Sequence, residues 1–274
     1  MSISPGQKEQ IIQLVKEAGK VMLSARNVED DEDNISSKYG TANFVTVFDV
    51  KVQNMLIDGF CKIVPGSSYL AEEKDNSGID ITKGLTFIID PIDGTTNFIH
   101  DMRASAISVG FFEFGEPVFS VIHDPYRNEM FLASKGEGAF LNGRKIGVSD
   151  RELNKALVAF GTSPYNRDTL GSISFSMARN IYMQTADLRR SGSAAIDICN
   201  VACGREDGFF EIILSPWDFA GGSLILTEAG GMLTDFDGNV PSFSKPSSVL
   251  CSNKIVHNQL LDIIKKSEDE FYGR

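Results

Sequence analysis

At 274 residues, 42% of them hydrophobic and 23% charged, the chain can bury a sizeable core as one large domain or two smaller ones. A formal net charge of −11, from 37 acidic against 26 basic residues, argues against direct binding to nucleic acid or to an anionic membrane surface, so an anionic substrate would need cations as mediators. No apolar run is long enough to span a bilayer, MSISPGQKEQ lacks the pattern of a secretory signal, and four scattered cysteines (Cys61, Cys199, Cys203, Cys251) form no CxxC pair; a reducing, cytoplasmic setting fits.

Ser4-Pro5 reads as an N-cap followed by proline in the first helical turn. Ile11, Leu14, Val15, Ala18, Val21, Met22 and Ala25 mark one face of a helix that should end near Asn27. The acidic stretch Glu29 to Asp33 reads as a solvated loop. A second amphipathic helix is predicted from Asp49 to Pro65-Gly66. SYLAEE (68–73) and LTFIIDP (85–91) are predicted strands, and both end in acid. Between Ser105 and Val148, AISVGFFEF, EPVFSVIHDP, NEMFLASK and GAFLNGRKI are separated by Gly, Pro and Asn signals, which predicts an antiparallel meander. Strand is predicted for 156–162 and 208–213, and helix for 168–184 and 193–204. DFAGGSLILTEAGG reads as a helix stopped by Gly230-Gly231, GMLTDF and SSVLCS as late strands, and 254–271 as a closing helix. The mixture predicts a layered α+β or α/β architecture, with no linker that cuts the chain in two.

The segment TFIIDPIDGTTNF, Thr86 to Phe98, carries the most chemistry. Asp90 and Asp93 flank Pro91, which fixes one backbone angle and removes an N–H at the strand exit. Gly94 allows backbone to approach a bulky anion, and a helix starting at Thr95 would offer N–H groups to phosphate. Two carboxylates alone would repel that phosphate; Mg²⁺, which accepts carboxylate and phosphate oxygens together, resolves the conflict. An ordinary turn accounts for the same letters almost as well, so other acids must contribute. Glu72 is the better inward candidate of the Glu72-Glu73 pair, with Glu73 read as a solvated edge. Asp218 lies in SPWDFAGG, where Ser215, Pro216 and Asp218 fit N-cap, N1 and N3. Taken alone, that fragment favours helix capping over a ligand role.

Together, DPIDGTTNF, WDFAGGSLILTEAGG, FVTVFDVKVQ (44–53) and LAEE (70–73) resemble the motifs of the inositol monophosphatase family, in order and over nearly the whole chain. The resemblance implies a single domain over 1–274, built as a five-layer α-β-α-β-α sandwich. It implies two or three Mg²⁺ ions. Glu72, Asp90 and the Ile92 carbonyl would hold the first; Asp90, Asp93 and Asp218 would hold the second. The Thr95 hydroxyl, positioned by Asp49, would stand with Glu72 beside the attacking water, and Lys38 near the metal-bound waters. Gly94 and Thr95 would cradle phosphate; Asp93, Ser193, Ala194, Glu211 and Asp218 would meet the substrate. Ser193 stands where many members have threonine, Thr162 where serine is frequent, and Ser215 where animal members have histidine.

The implied activity is Mg²⁺-dependent hydrolysis of a small phosphate monoester, inositol 1-phosphate or a related inositol monophosphate, by a metal-activated water. Lithium inhibition and a homodimer are also implied. A fructose-1,6-bisphosphatase or dual-specificity sugar phosphatase is the alternative on the same scaffold. Nucleotide and histidinol phosphatases more often carry a basic residue at the position of Thr96. A role of a different class is protein binding in a transcription complex, as for some bacterial relatives. His100, His123 and His257 read as surface or structural residues.

Overall fold

The computed structural model describes residues 3–25, 35–39 and 43–273, with the backbone alone for 37–39 and 43–45. Helix α1 (Pro5–Ser24) starts as predicted: Ser4 Oγ accepts the Gln7 N–H at 3.3 Å, and the Gln7 side chain returns to the Ser4 N–H at 3.0 Å. It ends at Ser24, before the expected boundary. Asn27 and the acidic stretch 29–33 lie outside the described residues. Strands β1 (Ile35–Tyr39) and β2 (Asn43–Thr46) pair antiparallel, an element the sequence reading had missed. Helix α2 (Val47–Ile63) starts two residues earlier than predicted because Thr46 and Asp49 form a reciprocal cap.

The larger sheet has seven strands in chain order. Strand β3 (Ser68–Ala71) runs parallel to β4 (Leu85–Asp93). From β4 the chain turns antiparallel through β5 (Ala106–Glu113), β6 (Glu116–Asp124), β7 (Glu129–Ser134), β8 (Gly138–Leu141) and β9 (Arg144–Lys145). The predicted meander is present, with one correction. GAFLNGRKI is a hairpin rather than one strand, because Asn142 and Gly143 both adopt positive φ (50° and 76°), as a two-residue primed turn requires. Between β4 and β5 sits the short helix α3 (Thr95–Ile99).

The second sheet comprises β10 (Leu157–Phe160), β11 (Asp187–Arg189), β12 (Gly208–Leu214), β13 (Met232–Thr234) and β14 (Ser247–Ser252), in the order β11-β10-β12-β14-β13. Only β11 went unforeseen; three residues carry too little alternation to register. Helices α4 (Arg167–Tyr182), α5 (Ala194–Ala202), α6 (Pro216–Glu228) and α7 (His257–Tyr272) complete the chain within a few residues of the predicted bounds.

Packing arranges these into five layers. Helices α1 and α2 cover one face of the seven-stranded sheet, α5 and α6 lie between the sheets, and α4 and α7 cover the far face of the five-stranded sheet. Alternation along β4 places Phe87 and Ile89 in the outer core with α1 and α2, while Ile88 meets Ala220 of α6. Phe87 stacks on Phe60 of α2 with ring centroids 4.3 Å apart. Both rings are fully buried, and truncating either to alanine would cost about 3–5 kcal/mol.

The glycine pair of WDFAGG sets how closely α6 approaches its neighbours. A Cβ on Gly221 would lie 2.6 Å from Ser108 Oγ on β5, and one on Gly222 would lie 2.7 Å from Ile198 Cγ2 on α5. Small residues therefore let α6 pack closely against β5, whose Ser108 is paired with Asp90 of β4. Cys199 and Cys251 are buried, Cys203 is half-buried and Cys61 is exposed, all as free thiols. Among the described residues no helix is long and apolar enough to cross a membrane.

Candidate active site

The β4–β5 ladder shifts register between Asp90, opposite Ser108, and Asp93, opposite Ala106. Pro91, lacking an N–H, lies in this irregularity. The Ile92 N–H donates to Asp90 Oδ1 at 3.0 Å, so the DPID turn fixes its own first carboxylate. Asp93 Oδ2 accepts the Ala195 N–H at 2.8 Å and the Ser193 hydroxyl, reaching across to the start of α5. Asp218 Oδ2 accepts the Ser215 N–H at 2.7 Å. Each aspartate thus has one oxygen oriented by a protein donor.

Carboxylate oxygens of Asp90, Asp93 and Asp218 all lie within 4.8 Å of one another. Asp218 caps α6 and also faces the other two acids. Glu72, one residue beyond β3, is half-buried and lines the same cavity, and its N–H donates to Ile89 O at 3.2 Å. Glu73, also half-buried, is not among the lining residues.

Among the described residues no cationic side chain is paired with Asp90, Asp93 or Asp218, and these acids respond accordingly. Burial first, then the charges of Glu72, Asp93 and Asp218, push Asp90 well above the carboxylate range. Asp218 is pushed well up by burial and by Asp93 and Glu72. Burial raises Asp93 to about 6 against the lowering effect of the Ser193 hydrogen bond. An all-oxygen donor set that repels itself fits a hard divalent cation.

Asp49 lies behind the cluster, fully buried. Its Oδ2 accepts the Thr46 N–H at 2.8 Å and the Thr46 hydroxyl, and its Oδ1 faces Thr95 Oγ1 at 3.3 Å. Burial raises Asp49 to about 6, partly offset by those Thr46 bonds. Thr95 Oγ1 also lies 3.2 Å from the Ile92 carbonyl, so its single proton has two acceptors to choose between. Gly94 adopts a left-handed conformation (φ 87°), and a Cβ there would crowd Ala104 O and Gly192 O at 3.1 Å. The first N–H groups of α3 have no acceptor within the helix.

The cavity has a volume of about 590 Å³, within the range of small-molecule sites. Ser193, Ala194 and Glu211 also line it. Ser193 caps α5 as well as donating to Asp93. Glu211, raised to about 7 by burial, accepts the Ser163 N–H at 2.8 Å and the Ser163 hydroxyl at 3.2 Å. Lys38 lies on β1, with its side chain outside the described part. His123 and His257 are buried and hydrogen-bonded, while the exposed His100 lines the cavity.

Sequence reasoning missed Asn97, whose Nδ2 donates to Ala104 O (2.7 Å) and Ser191 O (2.9 Å) and so ties the DGTTNF turn to the SGSAA turn. It also missed Ser163 and the arginines at the cavity. Asn97 lay inside the quoted motif, where an asparagine three residues after the turn glycine was the available signal.

Two sheets enclosing a helical layer, with an acid cluster where β4 meets the start of α6, define the class to which this chain compares. The profile of the inositol monophosphatase family matches residues 7–269, and the chain belongs to that family. Among curated relatives, Nus factor SuhB of Escherichia coli (strain K12) is 38% identical over 229 residues, 83% of this chain and 84% of that protein. Among solved structures, the extragenic suppressor protein suhB of Bartonella henselae superposes with a TM-score of 0.84 at 32% identity, covering 94% of this chain and 98% of the other. The Thermotoga maritima IMPase gives 0.83 at 32% identity, covering 94% and 96%.

Proposed function

We propose that the chain is a Mg²⁺-dependent phosphate monoester hydrolase of the cytoplasm, a single catalytic unit over 1–274 that works as a homodimer on inositol 1-phosphate or related inositol monophosphates. The observation that carries this reading is the convergence of Asp90, Asp93 and Asp218 within 4.8 Å, in a cavity shared with Glu72 and the Gly94 turn. Glu72, Asp90 and the Ile92 carbonyl would hold one ion, and Asp90, Asp93 and Asp218 a second. Bound there, the ions supply Lewis acidity and a water of lowered pKa.

The chain's own groups do the rest. Thr95 Oγ1, held by Asp49, orients the attacking water, and Glu72 takes its proton. The Gly94 and Thr95 N–H groups receive the phosphoryl oxygens. Ser193, Ala194 and Glu211 face the alcohol part. Water adds to phosphorus as the ester P–O bond breaks, giving inorganic phosphate and the free alcohol.

Phosphate release from inositol 1-phosphate, with and without Mg²⁺, tests the reading. Metal-dependent release is expected; equal release in chelator would refute it. The name Nus factor carried by relatives at 38% identity supports a second reading, protein binding in a transcription complex. Co-purification of RNA polymerase with the Asp90→Asn protein would support that role independently of hydrolysis, and its absence with both that protein and the native chain would count against it.

A further inference from the structure

Asp197 and Glu206 are buried acids that the chemistry above does not use. Asp197 stands in the first turn of α5 and borders the cavity, and Glu206 lies in the loop that follows the helix. They are 2% and 6% exposed. The Glu206 N–H donates to Asn200 O at 3.2 Å, and Asn200 Nδ2 donates to Glu206 Oε1 at 3.4 Å. Asn200 comes three residues after Asp197, on the same face of α5, so the glutamate folds back along the helix towards the aspartate. Asp197 Oδ1 and Glu206 Oε2 are both buried, and among the described residues neither has a hydrogen-bond partner.

The elements around the pair bring acids and committed cations. Asp93 of β4 and Glu211 of β12 add negative charge at Asp197, and Asp207 adds it at Glu206. Arg127 and Arg189 pull Glu206 down, but they pair with Asp124 and Asp187, as Arg151 does with Asp207 and Arg205 with Glu129. Helix α5 also packs on α6, β5, β6 and β14. On α6, Asp218 belongs to the acid cluster and Glu228 accepts the Gly136 and Gly138 N–H groups. On β6, Glu116 pairs with Lys135 and His123 is bonded to Glu129 O; β5 carries only Glu113, and β14 has no charged residue. Two carboxylates left bare in such a place repel each other and stay desolvated. A single proton between the two oxygens removes the repulsion and gives both a partner, because a protonated carboxyl donates where a carboxylate only accepts. Burial and then the Glu206 charge push Asp197 well above the carboxylate range, and burial raises Glu206 to about 7, in the same sense.

We propose that Asp197 and Glu206 share a proton at neutral pH and act as a positioning pair, holding the first turn of α5 where Ser193 Oγ and the Ala195 N–H meet Asp93. Loss of that proton at alkaline pH sets two carboxylates against each other, and the turn that aims Asp93 shifts. The consequence for Mg²⁺ rests on the metal reading of the acid cluster; the shared proton does not.

The test melts the metal-free native protein, Asp197→Asn, Glu206→Gln and the double variant from pH 5 to pH 9. Unfolded, the two acids ionise near 3.8 and 4.5, whereas the folded pair keeps its protons to higher pH. The pair's contribution to stability is therefore complete below those values and is lost as pH rises, through about 7 for Glu206 and beyond it for Asp197. The double variant, neutral throughout, should melt above the native protein at pH 9 and lose that advantage at pH 5. Parallel melting curves would overturn the shared proton. Calorimetry then reads the positioning role: from pH 7 to pH 9 the Kd for Mg²⁺ should rise severalfold in the native protein relative to the double variant. A constant ratio would overturn that role, and no Mg²⁺ binding at all would sink the metal reading while the melting curves still decide the proton. Should the variants fail to fold, infrared spectra of the Mg²⁺-loaded native protein at pH 8 decide, above the values of about 6 and about 7 that Asp49 and Glu211 reach. A protonated-carboxyl band there supports the pair, and its absence refutes it.

Discussion

Two buried acidic regions of this molecule are treated in opposite ways. Asp207, fully buried beside the five-stranded sheet, accepts Arg151 Nε on both oxygens at 2.9 and 3.0 Å, the Leu157 N–H at 2.7 Å and the Ser149 hydroxyl. The protein supplies its counter-charge and its hydrogen bonds, and the result ties three segments together. Asp90, Asp93 and Asp218 receive N–H donors that aim them and, among the described residues, no cationic side chain, and neighbouring carboxylates raise the pKa of each. Where the acid is structural the chain completes its shell; at the three acids proposed to hold a metal, it orients them and, among the described residues, supplies no counter-charge.

Substitutions at the two regions should separate these roles. Asp90→Asn should lower Mg²⁺-dependent turnover by ~10³-fold, and the metal-free variant should melt no lower than the native protein, because repulsion is relieved. Near-native activity there would break the comparison. Asp207→Ala should instead destabilise the fold by about 3 kcal/mol, read as a melting point lower by roughly 10 °C, with the KM for Mg²⁺ unmoved. Saturating Mg²⁺, near 100 times its Kd, should stabilise the native protein by ~2.7 kcal/mol, and Asp90→Asn should lose most of that gain in a thermal scan.

The smallest effect concerns a third buried group, kept neutral. His257 sits between Thr234 Oγ1 (3.0 Å) and Ser252 Oγ (2.8 Å), and burial lowers it from 6.5 to about 4. Across that window the unfolded chain binds a proton that the folded chain refuses. The contribution is therefore complete above pH 6.5 and is lost as pH falls toward 4. Denaturant titrations of His257→Gln should show a shallower acid limb than the native protein; identical limbs would remove His257 from the account.

Much of this was legible in the letters. Long periodic segments such as α1, α7 and the meander declared themselves, and acids at the ends of β3 and β4 pointed to metal before any fold was known. Asp218 shows the limit of a local fragment. Ser-Pro-Trp-Asp is a sound capping signal, and capping is what one of its oxygens does. What the fragment does not show is that Gly221 and Gly222 let α6 pack closely on β5 and α5, in the same layer contact that places Asp218 near Asp90 and Asp93. The pair β1–β2, the three-residue β11 and the Asn142-Gly143 hairpin escaped because so few residues carry little periodicity. The Asn97 and Ser163 bridges escaped because they join segments 94 and 48 residues apart.

Anomalous diffraction from crystals soaked in Mn²⁺ tests the central claim most directly. Two peaks are expected, one bounded by Glu72, Asp90 and the Ile92 carbonyl and one by Asp90, Asp93 and Asp218. Fully soaked crystals with no peak within coordination distance of any of these four side chains would contradict it.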